Sequence, residues 1–122
     1  MSRLLYVLAI LVLAVLSVLL LGPATSVEQS VDNLDKVAHF FAFGLVLWAL
    51  GVLFRRRSRV VLAIITVVIG GLVELVQGQI GRDASWYDLL ADALGVVTAL
   101  LVWSGWRRFQ PRSARRPVSD DR

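Results

Sequence analysis

The sequence predicts an all-α, polytopic membrane protein: a bundle of four transmembrane helices with both termini in the cytoplasm. Three observations carry this expectation. Hydrophobic residues make up 57% of the 122 positions and the mean hydropathy is +0.73, more apolar side chain than a soluble domain of this length can bury. The apolar residues fall into four nearly uncharged stretches of about the length a bilayer requires. The arginines lie in short clusters beside those stretches, the pattern of membrane topology rather than of a nucleic-acid surface. The net charge of +4 therefore does not point to nucleic acid as a partner. The chain has no cysteine, which excludes disulfides, thiol nucleophiles and cysteine-based zinc or iron–sulfur sites. Its length is that of one domain.

The expected helices span about 4–22, 37–54, 60–80 and 89–106, within a membrane domain of residues 1–109. The first carries no charge after Arg3 and ends at Pro23. With "PATS" behind it, it resembles a secretory signal with Ala24 and Ser26 at the cleavage positions. The apolar run is longer than the ~7–15 residues of a signal's core, which favours an uncleaved anchor helix. The second stretch is interrupted only by His39 near its start. The third carries Glu74 and Gln77 in its later half, and the fourth carries Asp92 one turn in. Backbone groups in lipid are satisfied only within helices or closed barrels, and nothing in the pattern suggests strands.

In a four-span topology Arg3, Arg55, Arg56, Arg57, Arg59, Arg107, Arg108, Arg112, Arg115 and Arg116 share one side. The other side holds Lys36 and Arg82 beside Glu28, Asp32, Asp35, Asp83 and Asp88. The positive-inside rule makes the arginine side cytoplasmic. Residues 110–122, "PRSARRPVSDDR" after Gln110, hold two prolines and few apolar residues, and predict a disordered basic tail in contact with anionic lipid.

On this topology the polar residues of three helices reach one depth near the outer surface. His39 is one turn into the second helix. Glu74 is about 21 Å along the third from Val60, and Gln77 follows on the same face. Asp88 lies at the mouth of the fourth helix, with Asp92 a turn deeper on the same face. An acidic residue in a span costs a few kcal/mol and turns inward toward a partner. Small residues at Gly70, Gly71, Gly78, Ala91, Gly95 and Ala99 allow close helix approach around it. The expectation is one polar pocket, with His39, Glu74 and Asp92 as its reactive group and Asp35, Lys36, Gln77, Arg82, Ser85 and Asp88 as its binding residues. Structural duties compete with these roles. Asn33 can cap the second helix with Asp35 favourably placed in its first turn, and "SWYD" reads as a capping box in which Asp88 reaches back to Ser85. Trp86 and Tyr87 at one end, and Trp103 and Trp106 at the other, suit membrane interfaces.

Three blocks, "DKVAHFFAFG", "GLVELVQ" and "GRDASWYDLLADALG", resemble the signature blocks of the VanZ-like family of small bacterial membrane proteins, in that family's order and over about Asp35 to Gly95. Asp35, Lys36, His39 and Phe40 match the first block, Glu74 and Gln77 the second, and Arg82, Ser85, Asp88 and Gly95 the third. Asp92 departs from the pattern, since the family usually has Asn there; an extra carboxylate would favour a cation. The resemblance implies a multi-pass protein of the bacterial inner membrane and an association with low-level resistance to the glycopeptide teicoplanin. It implies no settled mechanism.

Three functions remain open on the residues. A pocket facing outward would bind a lipid headgroup, a cell-wall lipid intermediate or a glycopeptide, with Lys36 and Arg82 addressing phosphate or carboxylate. An intramembrane hydrolase or transferase would use His39 with Glu74 or Asp92 as an acid–base pair, or the trio as a divalent-metal site. Against this, G-x-S-x-G, H-E-x-x-H and a phosphate-binding glycine loop are all absent. A proton-coupled carrier would need polar residues on both sides of the membrane, and Thr66 and Thr98 are the modest candidates on the inner side. Membrane lipids are the expected partners, no cofactor is specified, and an oligomer is left open.

Overall fold

The computed structural model describes residues 3–23, 34–81 and 85–109. Four helices account for almost all of them: α1 (Arg3–Leu21), α2 (Leu34–Leu53), α3 (Arg59–Gln79) and α4 (Trp86–Phe109). At 1.5 Å per residue their 19 to 24 residues extend about 28–36 Å, enough to cross a hydrocarbon layer. All four are long and apolar enough to do so. Two begin earlier than the hydropathy pattern suggests. α2 starts at Leu34, which places Asp35 and Lys36 inside its first turn, and α4 starts at Trp86 and runs on to Phe109. Charged residues interrupt an apolar run without interrupting a helix, so the helices outlast the stretches that signal them. Asn33, Arg82 and the tail 110–122 lie outside the described residues.

The helices run alternately up and down, so the ends of α1 and α3 meet the starts of α2 and α4. α2 is central and packs against the other three, most closely against α4. Small residues make that approach possible. A Cβ at Gly95 would collide with the Phe40 backbone, and one at Gly44 would stand 3.5 Å from the Gly95 carbonyl oxygen. This is helix packing by backbone contact, as suits a bilayer that supplies no hydrophobic drive between helices. Above and below the contact the interior is filled by Phe43, Leu47, Leu62, Ala63 and Val96, with Leu20 of α1 at its edge. Ala9, Ala49 and Val52 form a second cluster between α1 and α2. The outward faces are as apolar as the inward ones: Val18, Leu72, Leu75 and Val102 are among many large hydrophobics left exposed. A surface of that kind is stable against lipid and a liability in water.

The two ends of the bundle differ in chemistry. At one end Arg55, Arg56 and Arg57 occupy the connection between α2 and α3, and Ser58 caps α3 by accepting a hydrogen bond from Val61 N at 3.1 Å. The Arg59 guanidinium lies 4.4 Å from the Trp103 ring centroid, with Arg107 5.0 Å from the same ring. A Cβ at Gly51 would overlap the Arg59 side chain, so glycine there leaves room for it. At the other end α3 closes at Ile80, whose N–H donates to Val76 O, and Gly81 follows at φ 81°. That left-handed conformation favours glycine and turns the chain out of the helix. The buried ionisable groups gather at this second end.

Replacing Gly95 by alanine forces α2 and α4 apart and is expected to cost at least about 2 kcal/mol, at the upper side of overpacking penalties because backbone cannot yield. Gly71→Ala, where an added Cβ meets nothing within 4 Å, is expected to be neutral or slightly stabilising. Thermal unfolding of the two variants in detergent micelles measures the contrast.

Candidate functional site

His39 is the chain's single histidine and is fully buried where α2, α3 and α4 converge. Its position follows from helix phase: Ala42, Phe43, Val46 and Leu47 continue the buried face of α2. Its Nδ1 and Asp92 Oδ1 are hydrogen-bonded at 2.7 Å, and Glu74 Oε1 lies 3.5 Å from the same nitrogen. With acceptors on that side, the imidazole hydrogen belongs on Nδ1. The other nitrogen, Nε2, is buried, makes no hydrogen bond among the described residues, and lies 3.8 Å from Asp35 Oδ1 one turn back along α2. Phe43 stacks on the ring from the turn ahead, with centroids 6.0 Å apart. The imidazole is thus held by three neighbours and left chemically open at one atom.

The carboxylates around it have distinct surroundings. Asp92 is sealed from solvent, and its second oxygen faces Gly70, where a Cβ would come within 2.7 Å. Glycine at 70 makes room for Asp92. Glu74 accepts a hydrogen bond from the Ser85 backbone N–H, 3.2 Å from Oε2, while its Oε1 has no donor among the described residues. Asp88, one turn above Asp92 and buried, lies beside Asp35 and His39, the three offering donor atoms within 4.8 Å of one another. Asp35 is the more open of these two aspartates, with a third of its side chain exposed. Taking these groups out of water requires that each find a partner, and the partners come almost entirely from within the cluster.

Of the residues the sequence nominates, the structure brings His39, Glu74, Asp92, Asp35 and Asp88 together. Ser85 joins them through its backbone rather than its hydroxyl. The reciprocal capping box expected of "SWYD" does not form. Ser85 Oγ accepts from Tyr87 N at 3.1 Å and its carbonyl from Asp88 N at 3.0 Å, but the group that reaches Ser85 N is Glu74 of α3. Asp88 lies instead beside Asp35 and His39. Gln77 plays a different part. It is buried, and its side-chain nitrogen donates to the Leu20 carbonyl at 2.7 Å. That bond satisfies a carbonyl left over at the end of α1 and ties α1 to the bundle. Lys36 is half-buried in the first turn of α2, near enough to Asp88 to interact with its charge. The cluster does not extend to the arginine end through Thr66 or Thr98, since each hydroxyl donates to its own helix, at 2.7 Å to Leu62 O and 2.8 Å to Leu94 O.

The sequence pattern did not disclose a groove. Val68, Gly71, Leu72, Glu74, Leu75, Ser85, Trp86 and Leu89 line an open cleft of about 540 Å³ between α3 and α4. It is apolar along its length, with Glu74 and Ser85 the polar groups on its wall. Sequence spacing places residues on a helix face, but whether two faces leave a gap depends on the crossing of the helices. Two sets of three donors are close enough to share a cation: Asp35, His39 and Asp88, and His39, Glu74 and Asp92, with donor atoms within 4.8 Å in each set.

No family model, curated protein or solved structure matches the chain.

Removing Asp92 leaves the buried imidazole N–H with no acceptor nearer than Glu74 Oε1 at 3.5 Å. Asp92→Ala is expected to destabilise the fold by about 3–5 kcal/mol, the usual cost of breaking a buried pair from one side. Asp92→Asn keeps an acceptor oxygen and is expected to cost less than half as much; urea or thermal unfolding in micelles measures the difference.

Proposed function

We propose that the protein spans the bacterial inner membrane with its arginine-rich end in the cytoplasm, and that the cluster at the opposite end binds the headgroup of an outer-leaflet amphiphile. The observation that carries this reading is the double position of Glu74. Its side chain lines the apolar cleft between α3 and α4, and its Oε1 stands 3.5 Å from His39 inside the polar cluster. A hydrocarbon chain lying in the cleft would bring its headgroup to the Glu74 side chain at the border of the polar cluster, where the buried inner oxygen, Oε1, lacks a donor among the described residues. Small-molecule sites combine these traits, an apolar wall with a few polar groups at one place. A headgroup carrying hydroxyl or ammonium donors suits Glu74, and Lys36 offers a cation for a phosphate or carboxylate on the same ligand.

The resemblance to the VanZ-like family narrows the ligand to cell-envelope chemistry: a lipid-linked cell-wall intermediate, or a glycopeptide with a lipid tail such as teicoplanin. The topology rests on Arg3, Arg55, Arg56, Arg57, Arg59, Arg107 and Arg108 at one end, against Lys36 with Asp35 and Asp88 at the other. A second reading, an intramembrane enzyme on a lipid-linked substrate, draws on the His39–Asp92 bond. A histidine oriented by a carboxylate through one nitrogen and open at the other is arranged for general acid–base work.

The cleft is tested by filling it. Gly71→Trp introduces a side chain where space is open and is expected to reduce cross-linking by a photoactivatable acyl-chain lipid about tenfold, with the folded yield unchanged. Equal labelling of variant and parent, or labelling centred on α1, would remove the cleft from the account. In cells, the parent protein is expected to raise tolerance of teicoplanin but not of vancomycin, and Glu74→Gln at equal membrane level to lose that protection. Reporter fusions after Arg57 and at Arg122 are both expected to read cytoplasm.

A further inference from the structure

The atom that the amphiphile reading leaves unused is Nε2 of His39. It is buried in a side chain with no solvent exposure and has no hydrogen-bond partner among the described residues. Opposite it stand Asp35 and Asp88, each with a carboxylate oxygen that could share an ion with the imidazole. The three donor atoms lie within 4.8 Å of one another, and His39 Nε2 is 3.8 Å from Asp35 Oδ1. Ligands of a tetrahedral zinc ion at about 2.0–2.2 Å stand roughly 3.3–3.5 Å apart. Closing from 3.8 Å to that spacing takes a small rotation of the Asp35 side chain, the most exposed of the three.

We propose that His39 Nε2, Asp35 and Asp88 bind one divalent transition-metal ion of the zinc class, with Asp92 as the positioning residue that holds the imidazole from its other nitrogen. Metal-bound histidines almost always donate their second N–H to a carboxylate or carbonyl, which fixes the ring and raises its basicity. The 2.7 Å bond from Nδ1 to Asp92 is that arrangement already formed. It also selects between the two donor sets. His39, Glu74 and Asp92 share the Nδ1 side, where the hydrogen sits, and that nitrogen cannot ligate while it donates. An imidazole ligand favours zinc-class ions over magnesium or calcium, which prefer oxygen alone. Among the described residues three ligands are supplied, one fewer than a tetrahedral ion takes. The metal ligands differ from the residues lining the α3–α4 cleft, so the site stands whether or not the cleft holds an acyl chain.

The test uses full-length protein in nanodiscs, stripped with chelator and titrated with Zn²⁺, with Mg²⁺ as comparator and Co²⁺ as a spectroscopic probe. One equivalent of Zn²⁺ is expected, with Co²⁺ giving the visible absorption of a tetrahedral nitrogen–oxygen site. Asp35→Asn and Asp88→Asn are each expected to weaken Zn²⁺ at least about a hundredfold, and Asp92→Asn about 10–100-fold, as loss of an orienting partner does. Glu74→Gln is expected to leave stoichiometry and affinity within about threefold. Asp35→Asn sits in the partly exposed first turn of α2, so it reports on binding even if the more buried variants fail to fold. No Zn²⁺ bound by folded parent protein overturns the proposal. So does binding that survives both aspartate variants, or binding lost in Glu74→Gln and kept in Asp88→Asn. Lipid cross-linking of the same samples, as at the cleft, separates failure of this site from failure of the amphiphile reading.

Discussion

The hydrogen bond between His39 Nδ1 and Asp92 Oδ1 is the constraint on which the arrangement of α2, α3 and α4 depends. Both groups are cut off from water, so neither tolerates loss of the other, and the cost of separating them holds α2 and α4 in one register. That register is available only because Gly44 and Gly95 let the two backbones touch, and Asp92 fits only because Gly70 of α3 has no side chain in its way. Three glycines on three helices thus serve one hydrogen-bond geometry. The apolar packing of Phe43, Leu47, Leu62 and Val96 fills the space beside it but would accept other crossings; the polar bond is directional and would not.

Around that bond the end of the bundle is a set of linked satisfactions with a few gaps. Glu74 takes the Ser85 backbone N–H, a donor left over at the start of α4. Gln77 takes the Leu20 carbonyl, left over at the end of α1. What stays unsatisfied among the described residues is narrow: one nitrogen of His39 and one oxygen each of Glu74 and Asp92. Each buried polar atom left unmatched calls for an explanation of its own. The Asp92 oxygen is closed off by Gly70. The other two have different surroundings: Glu74 Oε1 faces the imidazole on a side chain that also lines the apolar cleft, and His39 Nε2 faces Asp35 and Asp88; this division is the basis for assigning an amphiphile to one and a metal to the other.

Much of this is legible in the sequence because a long apolar run makes charge conspicuous. Four apolar runs correspond to four helices, and the depths of His39, Glu74 and Asp92 along their helices place them in one layer by spacing alone. The pairing within the layer is not legible. Spacing shows that Asp88 and Asp92 share a face, but which of them meets His39 depends on how α2 and α4 cross, and the crossing is set by the Gly44–Gly95 contact. The same limit hides the partner of Glu74: the hydroxyl of Ser85 draws attention as a cap, while the bond is made by its main chain. An unpaired helix-start N–H at the depth of a buried carboxylate is the available signal. Gln77, grouped with the pocket by its spacing from Glu74, instead ties down α1. The cleft leaves no trace in the pattern, since its lining residues are mostly the ordinary Leu, Val and Gly of an apolar helix.

The presence of one histidine in the chain makes the central bond directly observable. ¹⁵N solid-state NMR of histidine-labelled, chelator-treated protein in lipid bilayers reads both ring nitrogens of His39 alone. The account predicts a hydrogen on Nδ1 in a strong hydrogen bond, weakened in Asp92→Asn, and a bare Nε2 whose signal moves on adding Zn²⁺. A hydrogen on Nε2, or an Nδ1 signal indifferent to Asp92, would contradict it, because the imidazole would then face the other way and the cluster would have a different centre.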